Sequence, residues 1–149
     1  MASRAGALTT DEGRGPDEQG TEARRRVSSG GPWEARYGYA RVAVAGDSAY
    51  VAGTTDAGPD GRSSHPGDPA RQARAVLGII ELALRDAGFS LADVVRTRMY
   101  VTDVAHIAPV AEVHGEVFRA VRPASTALVV KALIDPTLLV EIEADAKRS

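Results

Sequence analysis

At 149 residues and 44% hydrophobic side chains, the chain is long enough for one domain with a substantial core. Its formal net charge of -2 gives no general pull towards nucleic acid or membrane, and its lack of cysteine rules out disulfides, zinc-thiolate sites, iron-sulfur clusters and cysteine nucleophiles. No N-terminal apolar core of signal-peptide length is present and no stretch approaches about 18 consecutive apolar residues, so a cytoplasmic protein that does not span a membrane is expected.

Residues 1–30 are rich in Gly, Ser, Thr, Asp, Glu and Arg and almost free of large apolar side chains. Such a segment buries too little surface to offset the entropy of ordering it, and a disordered tail is expected. The Arg24-Arg25-Arg26 run, close to Asp17, Glu18 and Glu22, reads as part of that solvated tail rather than as a nucleic-acid contact. The domain is expected over residues 31–149. Its first segment carries Trp33 and Glu34, read as a pocket wall or lid against the commoner case of a core-edge tryptophan.

Tyr39 to Ala45 alternates, Gly46-Asp47 supplies a turn, and Ala49 to Thr54 follows as a second strand, which predicts a hairpin. Asp56 to Gly67 is loop by its Gly, Pro, Asp and Ser content. Asp68-Pro69 is a helix start, with a capping carboxylate and a proline at the first helical position. Ala73, Val76, Leu77, Ile80, Leu84 and Ala87 then form one apolar stripe, and Gly88 stops the helix. Val95 to Val101 is the next strand, with Thr97 and Met99 on one face and Arg96, Arg98 and Tyr100 on the other. A second helix is predicted from about Ala105 to Val121, with Pro109 in its first turn.

Two strands, Ser125 to Ala132 and Leu138 to Ala146, are predicted to form a terminal hairpin around the turn at Ile134 to Thr137. In the second, Leu138, Val140, Ile142, Ala144 and Ala146 point one way, while Leu139, Glu141, Glu143 and Asp145 point the other. One face is core; the other collects carboxylates. The order β-β-α-β-α-β-β puts two helices on one face of a mixed sheet, an α+β architecture whose second face must meet water or another subunit.

Gly38-Tyr39, Gly46-Asp47 before Tyr50-Val-Ala-Gly53, Gln72-Ala-Arg, Ala87-Gly88 with Leu91-Ala-Asp-Val-Val, Tyr100-Val-Thr-Asp103, Arg122-Pro-Ala124 and Val140-Glu-Ile-Glu-Ala144 stand in one order along residues 32–146. In these segments the chain resembles the Rid proteins, the reactive intermediate deaminases or YjgF/YER057c/UK114 family. The resemblance implies a chorismate-mutase-like subunit in a homotrimer, with a pocket at each subunit boundary on the helix-free sheet face. It also implies a small-molecule substrate and no cofactor: the best-known members hydrolyse enamines and imines to a keto acid and ammonia. They clamp the substrate carboxylate with an arginine two residues after the proline and position water with a glutamate in the last strand.

The glutamate matches at Glu141, read as a general base or water holder against the alternative of a strand carboxylate paired with an arginine such as Arg98. The arginine does not match, because its position holds Ser125. A serine offers one donor and no charge where a guanidinium grips bidentately. Substrates with a free carboxylate are therefore expected to be poor unless Arg98, Arg41 or Lys131 replaces the clamp. Ala52 and Ala127, where the family often places bulkier or polar groups, point with Gly53 to a roomier pocket. Thr126 and Ser125 are candidate hydrogen-bond donors, and Tyr39 is a candidate to orient the substrate or donate to the leaving nitrogen, against an interface aromatic. Glu143 is expected in a structural or interface ion pair.

His106 and His114 lie about 80° apart round the helix axis and His65 sits in a loop, so no metal site is expected. The Gly-rich segments lack the setting of a phosphate loop, and no basic groove with interleaved aromatics points to nucleic acid. Two further readings stay open beside the deaminase: a tautomerase or cyclase using the same pocket, and a non-catalytic trimer that binds a small metabolite or a partner.

Overall fold

The computed structural model describes residues 24–149. In chain order they form β1 (Arg25–Val27), α1 (Pro32–Tyr37), β2 (Val42–Ala45), β3 (Ser48–Thr54), α2 (Pro69–Asp86), β4 (Val94–Val101), α3 (Ile107–Phe118), β5 (Ala124–Val129) and β6 (Val140–Lys147). The strands make one mixed sheet in the order β1-β2-β3-β6-β4-β5, with β4 and β5 parallel and the other neighbours antiparallel. This is the expected α+β architecture, and α2 and α3 cover one face of it.

The core follows from periodicity. Val140, Ile142, Ala144 and Ala146 of β6 are buried, as are Val42 and Val44 of β2, Ala49 and Val51 of β3, and Met99 and Val101 of β4. Against them pack Ala73, Val76, Leu77, Ile80 and Leu84 of α2 with Val110 and Val113 of α3. Removing each large aliphatic side chain from water contributes about 1.5–3 kcal/mol. Asp68 caps α2 by accepting from Arg71 N at 3.0 Å, and Gly88 closes the helix with φ 81°. The second long helix is shorter than its sequence stripe: a tight turn at Val104–His106 precedes it, and it ends at Phe118.

Two expectations are corrected. Order begins before residue 31: β1 pairs with β2 along Arg25↔Val44 to Val27↔Val42, Val27 packs on the core, and Arg25 Nη2 donates to Ala87 O beyond the end of α2. Edge pairing uses backbone groups, so it leaves no apolar signature in so short a segment. Residues 1–23 of the expected tail lie outside the described residues. The terminal strands, moreover, are not a hairpin. β6 inserts between β3 and β4, and β5 pairs with the far side of β4, so the segment between β5 and β6 crosses to another position in the sheet.

Buried Gln72 of α2 ties the loops down. Its Nε2 donates to His65 O at 3.1 Å and Thr137 O at 2.9 Å, and its Oε1 accepts from Leu139 N at 2.8 Å. In the loop before α2, the buried Asp56 carboxylate accepts from Ser63 Oγ at 2.8 Å and lies 3.1 Å from His65 Nδ1. That accounts for one of the three histidines.

Candidate active site

The candidate site grows from an irregularity in β3. Val51 pairs with Ala144 but Thr54 pairs with Ile142, so Ala52 and Gly53 together oppose Glu143 in a bulge. Arg41 holds the bulge: its Nη1 donates to Gly53 O at 3.0 Å and to Thr54 Oγ1 at 2.8 Å. The bulge brings Gly53 against Glu141, where a Cβ on residue 53 would stand 2.2 Å from Glu141 Oε1 and 3.1 Å from its Cδ. Only a glycine leaves the carboxylate this position.

Glu141 is half-buried on the helix-free face, opposite Tyr100 of β4. Burial, seconded by the nearby Glu143 carboxylate, raises its pKa above the usual glutamate value, and Arg41 offsets part of the rise. The other two acids on this face of β6 share one cation. Arg98 Nη1 lies 3.3 Å from Glu143 Oε1 and 3.4 Å from Asp145 Oδ2, and Tyr100 Oη donates to Glu143 at 2.9 Å. Glu143 thus has the structural ion pair expected of it. Arg98 is engaged with Glu143 and Asp145, and Arg41 with the bulge, so each guanidinium already has a structural partner. A half-buried carboxylate with raised proton affinity beside paired neighbours is suited to accept a proton from water.

The remaining predicted residues separate. Ser125 lies opposite Thr97 in the parallel β4–β5 ladder, on the helix-bearing face, whereas Thr126 lies opposite Arg98 on the helix-free face. Ala127, opposite Met99, packs on the core. Glu141 and Ser125 therefore sit on opposite faces of one chain's sheet. Tyr39 is exposed after α1, and exposed Trp33 stacks on Tyr37 with ring centroids 5.7 Å apart. Glu34 beside it is buried and accepts from Ser29 N at 3.0 Å, so it fastens the start of the chain.

Sequence reasoning did not place Thr97 and His114 in the site. Thr97 Oγ1 lies 2.8 Å from His114 Nε2 and donates to Ser125 Oγ at 2.9 Å. Only the parallel register of β4 and β5 brings Thr97 to Ser125. A concavity of about 390 Å³, lined by Ser48, Tyr50, Val95, Arg96, Asp145 and Lys147, lies at the other end of β6 from Glu141 and holds none of the predicted site residues.

Residues 32–148 match the family model described as endoribonuclease L-PSP. Protein SCO2049 of Streptomyces coelicolor is 40% identical over 128 residues, spanning 86% of this chain and 95% of the relative. Among solved structures, Rv2704 of Mycobacterium tuberculosis, described as a member of the YjgF/YER057c/UK114 family, is 48% identical with a TM-score of 0.76, covering 85% of this chain and 100% of that one. Escherichia coli TdcF with bound serine is 27% identical with a TM-score of 0.68, covering 84% of this chain and 94% of that one.

Proposed function

We propose that this chain, which belongs to the endoribonuclease L-PSP or YjgF/Rid family, hydrolyses the carbon–nitrogen bond of a small imine, or of an enamine after protonation to its imine form, without a cofactor, in a pocket formed where the subunits of a homotrimer meet. The observation that carries the reading is Glu141: half-buried, raised in pKa and seated in the space that Gly53 leaves open. The serine bound to TdcF supports a small-molecule ligand on this fold.

In the reaction, Glu141 accepts a proton from water as the oxygen adds to the imine carbon. The imine nitrogen takes up one proton as water adds; Glu141 then returns the proton it holds to the amino nitrogen of the tetrahedral adduct, the C–N bond breaks as the adduct's hydroxyl gives up its proton, and the products are a carbonyl compound and ammonia. The subunit boundary enters because Glu141 and Ser125 face opposite sides of one sheet, so a substrate touching both needs two chains. RNA is disfavoured as substrate, since the arginines on this face among the described residues are interleaved with carboxylates and make no run of cations for a phosphate backbone to follow.

The test is ammonia release from imines generated in situ. Carboxylate-free substrates are expected to be preferred over 2-imino acids, and Glu141→Ala to lower the rate by about 10²-fold or more. Release no faster than the spontaneous rate from every substrate would overturn the hydrolase reading in favour of a ligand-binding trimer.

A further inference from the structure

Ser125 ends a hydrogen-bond chain that starts in the interior. Thr97 is inaccessible to solvent, His114 is half-buried with its ring tilted 41° against Phe118 at 4.7 Å between centroids, and Ser125 is exposed on β5. A threonine hydroxyl has one proton to give. With His114 as its Nε2–H tautomer, donation runs one way along the chain, from His114 to Thr97 across the 2.8 Å contact and from Thr97 to Ser125. The Ser125 proton is then left pointing outward, without a partner among the described residues. Burial lowers the pKa of His114, so the chain carries no net charge at neutral pH.

We propose that the His114–Thr97–Ser125 chain is a binding subsite for a neutral hydrogen-bond acceptor, the carbonyl oxygen of an amide, ester or ketone, and that His114 is its positioning residue, fixing through Thr97 the direction in which Ser125 donates. A carboxylate that leaves water here meets one neutral donor and no cation in the chain, which does not replace its hydration. A carbonyl oxygen loses far less hydration and gains the same bond. The inference rests on the reading that Ser125 belongs to the substrate site, and it names the substrate class: imines or enamines bearing a neutral carbonyl group where a 2-imino acid bears its carboxylate.

The experiment is a titration of the full-length, uniformly ¹⁵N-labelled protein with isobutyramide and, separately, with isobutyrate, reading the imidazole nitrogens of His114 and the amide of Ser125. Isobutyramide is expected to give saturable shifts with His114 held as its Nε2–H tautomer, and to bind at least about fivefold more tightly than isobutyrate. Ser125→Ala should abolish the response; Thr97→Val should weaken amide binding by about tenfold, and Thr97→Ser, which keeps the hydroxyl, should restore it. Equal binding of the two probes, no saturable shift with either, an Nδ1–H tautomer in the complex, or a response that survives Ser125→Ala would overturn the proposal. The assay needs no turnover. If the titration fails while Glu141-dependent ammonia release persists, this inference falls and the imine chemistry stands; a successful titration in a protein that releases no ammonia means the reverse.

Discussion

Glu141 occupies a place where ionisation is unfavourable, because burial and the Glu143 carboxylate together outweigh the attraction of Arg41. A carboxyl whose pKa is higher folded than unfolded holds its proton more tightly in the native state. Its stabilising contribution is complete below the unfolded value near 4.5 and is lost as pH rises through the higher folded value. At pH 7 the ionised side chain therefore costs stability, and this cost is tolerated at a site where a base is useful. Glu141→Gln is expected to lose hydrolytic activity and yet raise Tm at pH 7, with the advantage disappearing below about pH 4. Thermal denaturation of both proteins at the two pH values checks it. A Gln variant no more stable than the parent at pH 7 would mean that the carboxylate is well satisfied in the folded protein.

Among the elements, α2 does more than cover the sheet. Gln72 makes three hydrogen bonds from a fully buried position, joining the loop before α2 to the segment that leads into β6. Gln72→Leu fills much of the same space but strands two carbonyls and one amide, at a cost of about 2–4 kcal/mol. A fall in Tm of about 10 °C and faster hydrogen exchange at Leu139 N are expected; an unchanged exchange rate there would show that the bond contributes nothing to local stability.

The two long helices were legible because caps and apolar stripes are local signals: Asp68, Pro69 and Gly88 fall where the sequence puts them. The alternation in β6 was legible for the same reason, and with it Glu141. The partner of each strand was not. Period-2 alternation tells which way a side chain points but not which neighbour it meets, so β5 and β6, close in sequence, looked like a hairpin although β4 separates them. The same gap hid the Thr97–Ser125 contact. Ser125 was singled out by motif position, but the hydroxyl and imidazole behind it emerge only when β5 is laid parallel to β4.

At the scale of the whole molecule, the two parts of the candidate site stand apart. Glu141 with the Gly53 bulge lies on the helix-free face, and the His114–Thr97–Ser125 chain lies on the opposite face at the β5 edge. The sheet is one residue thick, and no rotation of a side chain carries either group through it. A common substrate must therefore lie between the face of one subunit and the edge of the next, a head-to-tail contact of the kind that closes into a ring. Sedimentation equilibrium is expected to give three times the 15.6 kDa chain mass. A mixing experiment then tests where the sites are. Glu141→Ala chains keep Ser125, and Ser125→Trp chains keep Glu141 behind a blocked edge, so each variant alone should be inactive. Unfolded together and refolded at equal amounts, they should regain about a quarter of the parental rate, the share of boundaries that pair an intact Glu141 with an intact Ser125 in random assembly. If each variant sediments as a trimer and the mixture still recovers nothing, the two residues do not meet across a boundary, and the substrate contacts only one of them.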